Sequence, residues 1–73
     1  MLRGTRFIAL RQEMLAQDMQ IKDIAQELGR SLRYVYDRFN GTFGWDIEDC
    51  YTVLELLGLP AENVAKYFPR GGM

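Results

Sequence analysis

The chain predicts an all-α fold of five short helices. Apolar residues recur at helical spacing in separate stretches, and no run alternates apolar and polar residues as a half-buried strand would. Cap residues mark the ends. Ser31 and Asp46 stand where helices should begin, and Gly29, Gly41 and Gly58 stand where they should stop. At 73 residues the chain has room for one domain and one core. A chain of that size buries only about 60% of its unfolded surface, so its stability margin is thin.

The first helix is expected after Thr5, a good N-cap, and to run to about Gln17. Phe7, Leu10 and Met14 fall on one face, with Ile8 and Leu15 beside them, and Met19 follows in the connection. The second helix is Ile21 to Leu28, where Ile21, Ile24, Ala25 and Leu28 keep the spacing i, i+3, i+4, i+7. Gly29 suits the left-handed turn that closes it. The third helix starts at the Ser31 cap and ends at Asn40-Gly41, with Val35 and Phe39 inward and Leu32 on the border. Arg33, Tyr34, Tyr36 and Asp37 are left facing outward.

Asp46 is the expected N-cap of the fourth helix, and Asp49 three residues on makes a weaker form of the capping box. Glu48 and Asp49 suit the positive end of the helix dipole. Ile47, Cys50, Tyr51, Val53, Leu54 and Leu57 supply a broad apolar face. Trp45, just before the cap, is expected to pack as a hydrophobic staple against Cys50. Pro60 can open a fifth helix that runs to about Phe68, where Pro69 ends it. Residues 1–73 are thus expected to form one domain, ordered over about 5–68, with a tail at 70–73. The expected core is Leu10, Met14, Met19, Ile24, Ala25, Leu28, Val35, Phe39, Ile47, Val53, Leu54, Leu57 and Val64.

Charge and composition exclude several classes. The net charge of −1 counts against a nonspecific nucleic-acid coat, which is strongly basic. The balance is uneven. Met1 to Gly41 holds seven Lys/Arg against five Asp/Glu, and Thr42 to Met73 holds two against five. The sequence shows nothing like a signal peptide or a bilayer span, which points to a cytoplasmic protein. One cysteine, Cys50, forms no internal disulfide, and without histidine a zinc site is not expected. No cofactor is expected either. The carboxylates are scattered over caps and solvent faces, so nothing supports catalysis.

The stretch from Met19 to Gly41 carries the functional signal. Two short helices pivot on Gly29, and the second carries three arginines and two tyrosines in and around it. This is how a helix-turn-helix presents a recognition helix to the DNA major groove. Ala25, Gly29, Val35 and the triplet Phe39-Asn40-Gly41 resemble the lambda-repressor-like helix-turn-helix family of phage and bacterial regulators. The segment from Asp46 to Pro60, which ends Leu56-Leu57-Gly58-Leu59-Pro60, resembles that family's fourth helix and following turn. Ala65-Lys66-Tyr67-Phe68 resembles small phage members that consist of the DNA-binding domain alone. The resemblance implies a five-helix DNA-binding domain, spans Thr5 to about Phe68, and implies a small repressor of phage or mobile-element type.

The chain departs from the family pattern in three places. Ile21 stands where relatives place a phosphate-binding Gln, with Gln20 one residue away as a substitute. Leu32 stands where the reading helix usually starts with a polar residue. Met14 and Phe39 replace an Arg–Glu pair and suit a dry core.

Arg33, in the first turn of the reading helix, is the first choice for a base contact, because a bidentate Arg–guanine pair is the commonest specific one. Arg30 and Arg38 flank the helix and suit phosphate, with an ion pair to Asp37 as the alternative for Arg38. Tyr34 and Tyr36 can pack on thymine methyls or bond phosphate, and partial burial is equally expected for Tyr34. Asp37 repels phosphate but can accept from a cytosine amine. Gln20, Lys22, Ser31, Leu32 and Asn40 complete the expected DNA-binding set. Val64, Tyr67 and Phe68 are the expected homodimer surface.

A second class competes with double-stranded DNA as the partner. An antirepressor of the same fold would pair with a longer repressor and mask its reading helix. Ile21, Leu32, Tyr34 and Tyr36 make an unusually apolar reading surface, which favours that alternative, and Tyr and Arg are enriched at protein hot spots. An antitoxin is a weaker third option, since no extra toxin-binding segment is visible.

Overall fold

In a computed structural model, which describes residues 6–69, the helices form in the expected order. They are α1 (Ile8–Ala16), α2 (Ile21–Leu28), α3 (Leu32–Phe39), α4 (Ile47–Leu56) and α5 (Val64–Tyr67), with a 3₁₀ turn, Ala61–Asn63, leading into α5. Among the described residues there is no strand, and no helix is long and apolar enough to cross a membrane. The expected Thr5 cap and the expected tail from Arg70 lie outside the described residues.

The cap signals act as local chemistry requires at both ends of the α2–α3 turn. Gly29 takes φ 68, and this lets the Arg30 N–H donate to Ala25 O at 3.0 Å and the Gly29 N–H to Gln26 O at 3.2 Å. These bonds satisfy carbonyls that the end of α2 would otherwise leave open. Ser31 is extended, and its Oγ accepts from the Tyr34 N–H at 3.1 Å. Only three residues therefore separate the two helices, and α2 packs against both α3 and α4. At the far end of α3 the left-handed residue is Gly41, at φ 81, while Asn40 remains right-handed. A side chain at Gly41 would also press its Cβ to 2.8 Å from the Arg6 guanidinium.

Other ends depart from the sequence pattern. Phe7 is not in α1. It precedes the helix in a left-handed conformation, φ 56, costly for a bulky residue, and its ring is anchored in the core. Asp46 makes no side-chain cap bond and the Asp46–Asp49 box does not form; Asp49 instead accepts from the Tyr34 hydroxyl. The expected fifth helix divides into the 3₁₀ turn and a single α turn.

The core gathers Phe7, Leu10, Met14, Ile24, Ala25, Val35, Phe39, Cys50, Val53, Leu54, Leu57 and Tyr67. Met19, Leu28 and Val64 pack against it while partly exposed. Ile47, expected inside, is 57% exposed. It is the first residue of α4, and the buried stripe of that helix begins only at Cys50. Trp45 fills the gap before α4 as an aromatic block. Its ring centroid lies 5.0 Å from Phe68, 5.4 Å from Phe39 and 6.2 Å from Phe7. Edge-on contacts of this kind add to the apolar area they bury. Burial pushes the Cys50 thiol up to about 11, with the Asp49 and Asp46 charges adding to the shift, so the side chain behaves as a small apolar residue.

Candidate nucleic-acid interface

The outer face of α3 follows from which residues the core consumes. Val35 and Phe39 point in, and Leu32, Arg33, Tyr36 and Asn40 remain exposed. The Arg33 side chain is 85% exposed, and its Nε lies 3.3 Å from Asp37 Oδ1 one turn on. Asp37 thus pairs with Arg33 and not with Arg38. Gln20, Lys22, Arg30 and Ser31 are exposed around the same end of the helix. The Gln20 N–H donates to Asp23 Oδ2 at 2.9 Å, capping the start of α2.

Tyr34 and Arg38 face a different neighbour. The Tyr34 hydroxyl donates to Asp49 Oδ2 at 2.7 Å, tying α3 to α4. The Arg38 guanidinium carbon sits 3.5 Å from the Tyr34 ring centre, and that of Arg30 4.7 Å from it. Arg38 also lies 5.3 Å from the Phe43 ring, and its Nε is buried without a partner among the described residues. Tyr34 therefore acts first as a structural post, holding two arginines against its ring. Its alignment with Asp49 raises the phenol above its ordinary value, first through the hydrogen bond, then through burial and the carboxylate charge.

A test of that post follows. Replacing Tyr34 by Phe removes the hydroxyl bond and is expected to cost about 1 kcal/mol in chemical denaturation at neutral pH. A phenol raised in the folded state contributes stability that is full below its unfolded value and is lost as pH rises through the folded one. The gap between wild type and variant should close in strongly alkaline solution. A gap absent at neutral pH would mean that the bond contributes nothing, and a gap unchanged at high pH would mean that it does not come from the hydroxyl.

Two groups near this face escaped sequence reasoning. Arg11 of α1 donates from Nε to Arg6 O at 2.7 Å and from Nη2 to Phe39 O at 3.4 Å, and lies 4.9 Å from the Phe39 ring centre. The only hint was its place one turn before Met14. Leu15, expected near the core, is instead 82% exposed. It stands over a groove of about 460 Å³ between α1, α2 and α3, where Ile21, Leu32 and Tyr36 form the walls. Met14, Met19 and Phe39 also line it, and Arg11 and Lys22 are its charged residues.

The three residues expected at a dimer surface are buried or half-buried in the single chain. Tyr67 is only 6% exposed and belongs to the core, because α5 is one turn long and folds inward against α1. Val64 and Phe68 are half-buried against that core. Comparison of the chain with protein-family models, with curated proteins and with solved structures finds no match in any of the three.

Proposed function

We propose that this chain is a sequence-specific DNA-binding transcriptional regulator, a small repressor of phage or mobile-element type that reads the major groove with α3. The observation that carries the proposal is the exposed N-terminal part of α3. Arg33 projects from its first turn with Arg30, Lys22 and Gln20 exposed around it, next to a tight turn from a supporting helix. This resembles the helix-turn-helix arrangement, in which early residues of the second helix reach base edges. Arg33 would take a guanine edge, and Lys22, Arg30 and Asn40 would take phosphates. Tyr36 is exposed and suits a thymine methyl, while Tyr34 acts indirectly by positioning Arg30 and Arg38. No catalytic role is assigned to any residue.

One such helix covers few base pairs, so specificity calls for two copies on neighbouring half-sites about 34 Å apart. Selection from a randomised duplex library should enrich inverted repeats at that spacing. Recovery of no common sequence would count against a sequence reader.

The groove beside α3 favours a second reading, a modulator that masks the reading helix of a longer repressor. Leu32 and Tyr36 are each 45% exposed and apolar, which suits a protein surface better than a phosphate chain. A modulator would ignore duplex DNA and bind the repressor domain through these residues.

A further inference from the structure

We propose that the groove beside α3 receives the outer face of α4 from a second copy of this chain, in a head-to-tail contact. The two surfaces are complementary. The groove has apolar walls and its charged lining residues are cations, Arg11 and Lys22, with no carboxylate among them. The outer face of α4 carries Ile47 and Tyr51, both exposed and one helical turn apart, with Glu48 and Glu55 exposed alongside. No lysine or arginine occurs anywhere in α4. The same polarity runs through the whole sequence, which is basic up to Gly41 and acidic after it.

The contact joins two different patches of one chain, so it is heterologous, and each added copy leaves one groove and one α4 face open. Assemblies then grow or close into a ring. A ten-residue helix on a groove of this size makes a small contact, of the transient class. Opposite charges at its edges set the register and make it sensitive to salt. The occupant covers Leu32 and Tyr36 on α3, so a copy whose groove is filled does not bind a duplex at the same time. That exclusion rests on the DNA reading, and the association itself does not.

Sedimentation equilibrium of the full chain tests the contact, from about 10 μM to about 1 mM at about 50 mM salt, where screening is weak. The average mass should climb with concentration and fall back at high salt. Leu15→Glu/Lys22→Glu alters the groove and Ile47→Lys/Glu55→Lys alters the α4 face, all at exposed positions. Circular dichroism confirms that both fold. Each variant alone should associate at least about tenfold more weakly. An equimolar mixture should recover association, because each supplies the half that the other lacks. A wild type that stays monomeric at the highest concentration overturns the proposal. So does undiminished association of either variant, or a mixture that fails to recover. Association that behaves as described while no duplex binds leaves this contact standing and removes the DNA reading.

Discussion

Phe39→Ala is expected to lose about 3–5 kcal/mol of stability, the usual cost of emptying a buried phenylalanine site. Phe39 is 1% exposed and holds three parts of the structure at once. Its ring lies 6.0 Å from Phe7 and 5.4 Å from Trp45, and its backbone oxygen accepts from Arg11. The truncation therefore leaves a void between α1, α3 and the segment before α4. A domain of this length has a total stability of only about 4–11 kcal/mol, so the loss takes from about a quarter of it to all of it. Urea denaturation followed by circular dichroism reads the loss. A change below about 1 kcal/mol would show that the aromatic block does not bear on the fold.

Arg33→Ala is expected to weaken binding to a selected duplex by about 1–3 kcal/mol and to relax preference at one base position. Stability should hardly change, because an exposed i,i+4 pair such as Arg33–Asp37 is worth about 0.3–0.5 kcal/mol. Arg38→Ala should differ on both counts. It should weaken all duplexes alike, as loss of a phosphate contact does, and also lower stability through its stacking on Tyr34. Anisotropy titrations against the selected site and single-base variants separate the two. Equal loss at every base position for Arg33→Ala would reassign it from base to phosphate.

The helix boundaries were legible wherever a cap is a local event. Ser31 bonding the Tyr34 N–H, Gly29 turning left-handed and Gly41 closing α3 depend on residues within one turn of each other. Periodicity likewise located the interior of α2 and α3. Features set by distant partners were hidden. Asp49 looks like half of a capping box and becomes the acceptor for a tyrosine fifteen residues away. Ile47 fits an apolar stripe, yet it is the first residue of α4 and stays 57% exposed. Tyr67 looks like a surface aromatic until a one-turn α5 folds it inward. At the candidate interface the exposure of Arg33 and Tyr36 followed from spacing alone. The groove under Leu15 required α1, α2 and α3 to come together, whereas Arg30 and Arg38 stand one turn either side of Tyr34 and engage its ring locally.

The central claim, that α3 reads DNA, is tested most directly by anisotropy of a labelled duplex at about 50 mM salt, where the phosphate attraction of any such protein is strong. On the proposed reading, Lys22, Arg30, Arg33 and Arg38 would neutralise about three or four phosphates per copy, which gives a log–log salt slope of about −3 for each bound copy. The account predicts saturable binding at low salt that weakens along that slope. Absence of binding to any duplex at that salt, with the chain shown to be folded, would contradict it and leave the groove as the surface through which the protein acts.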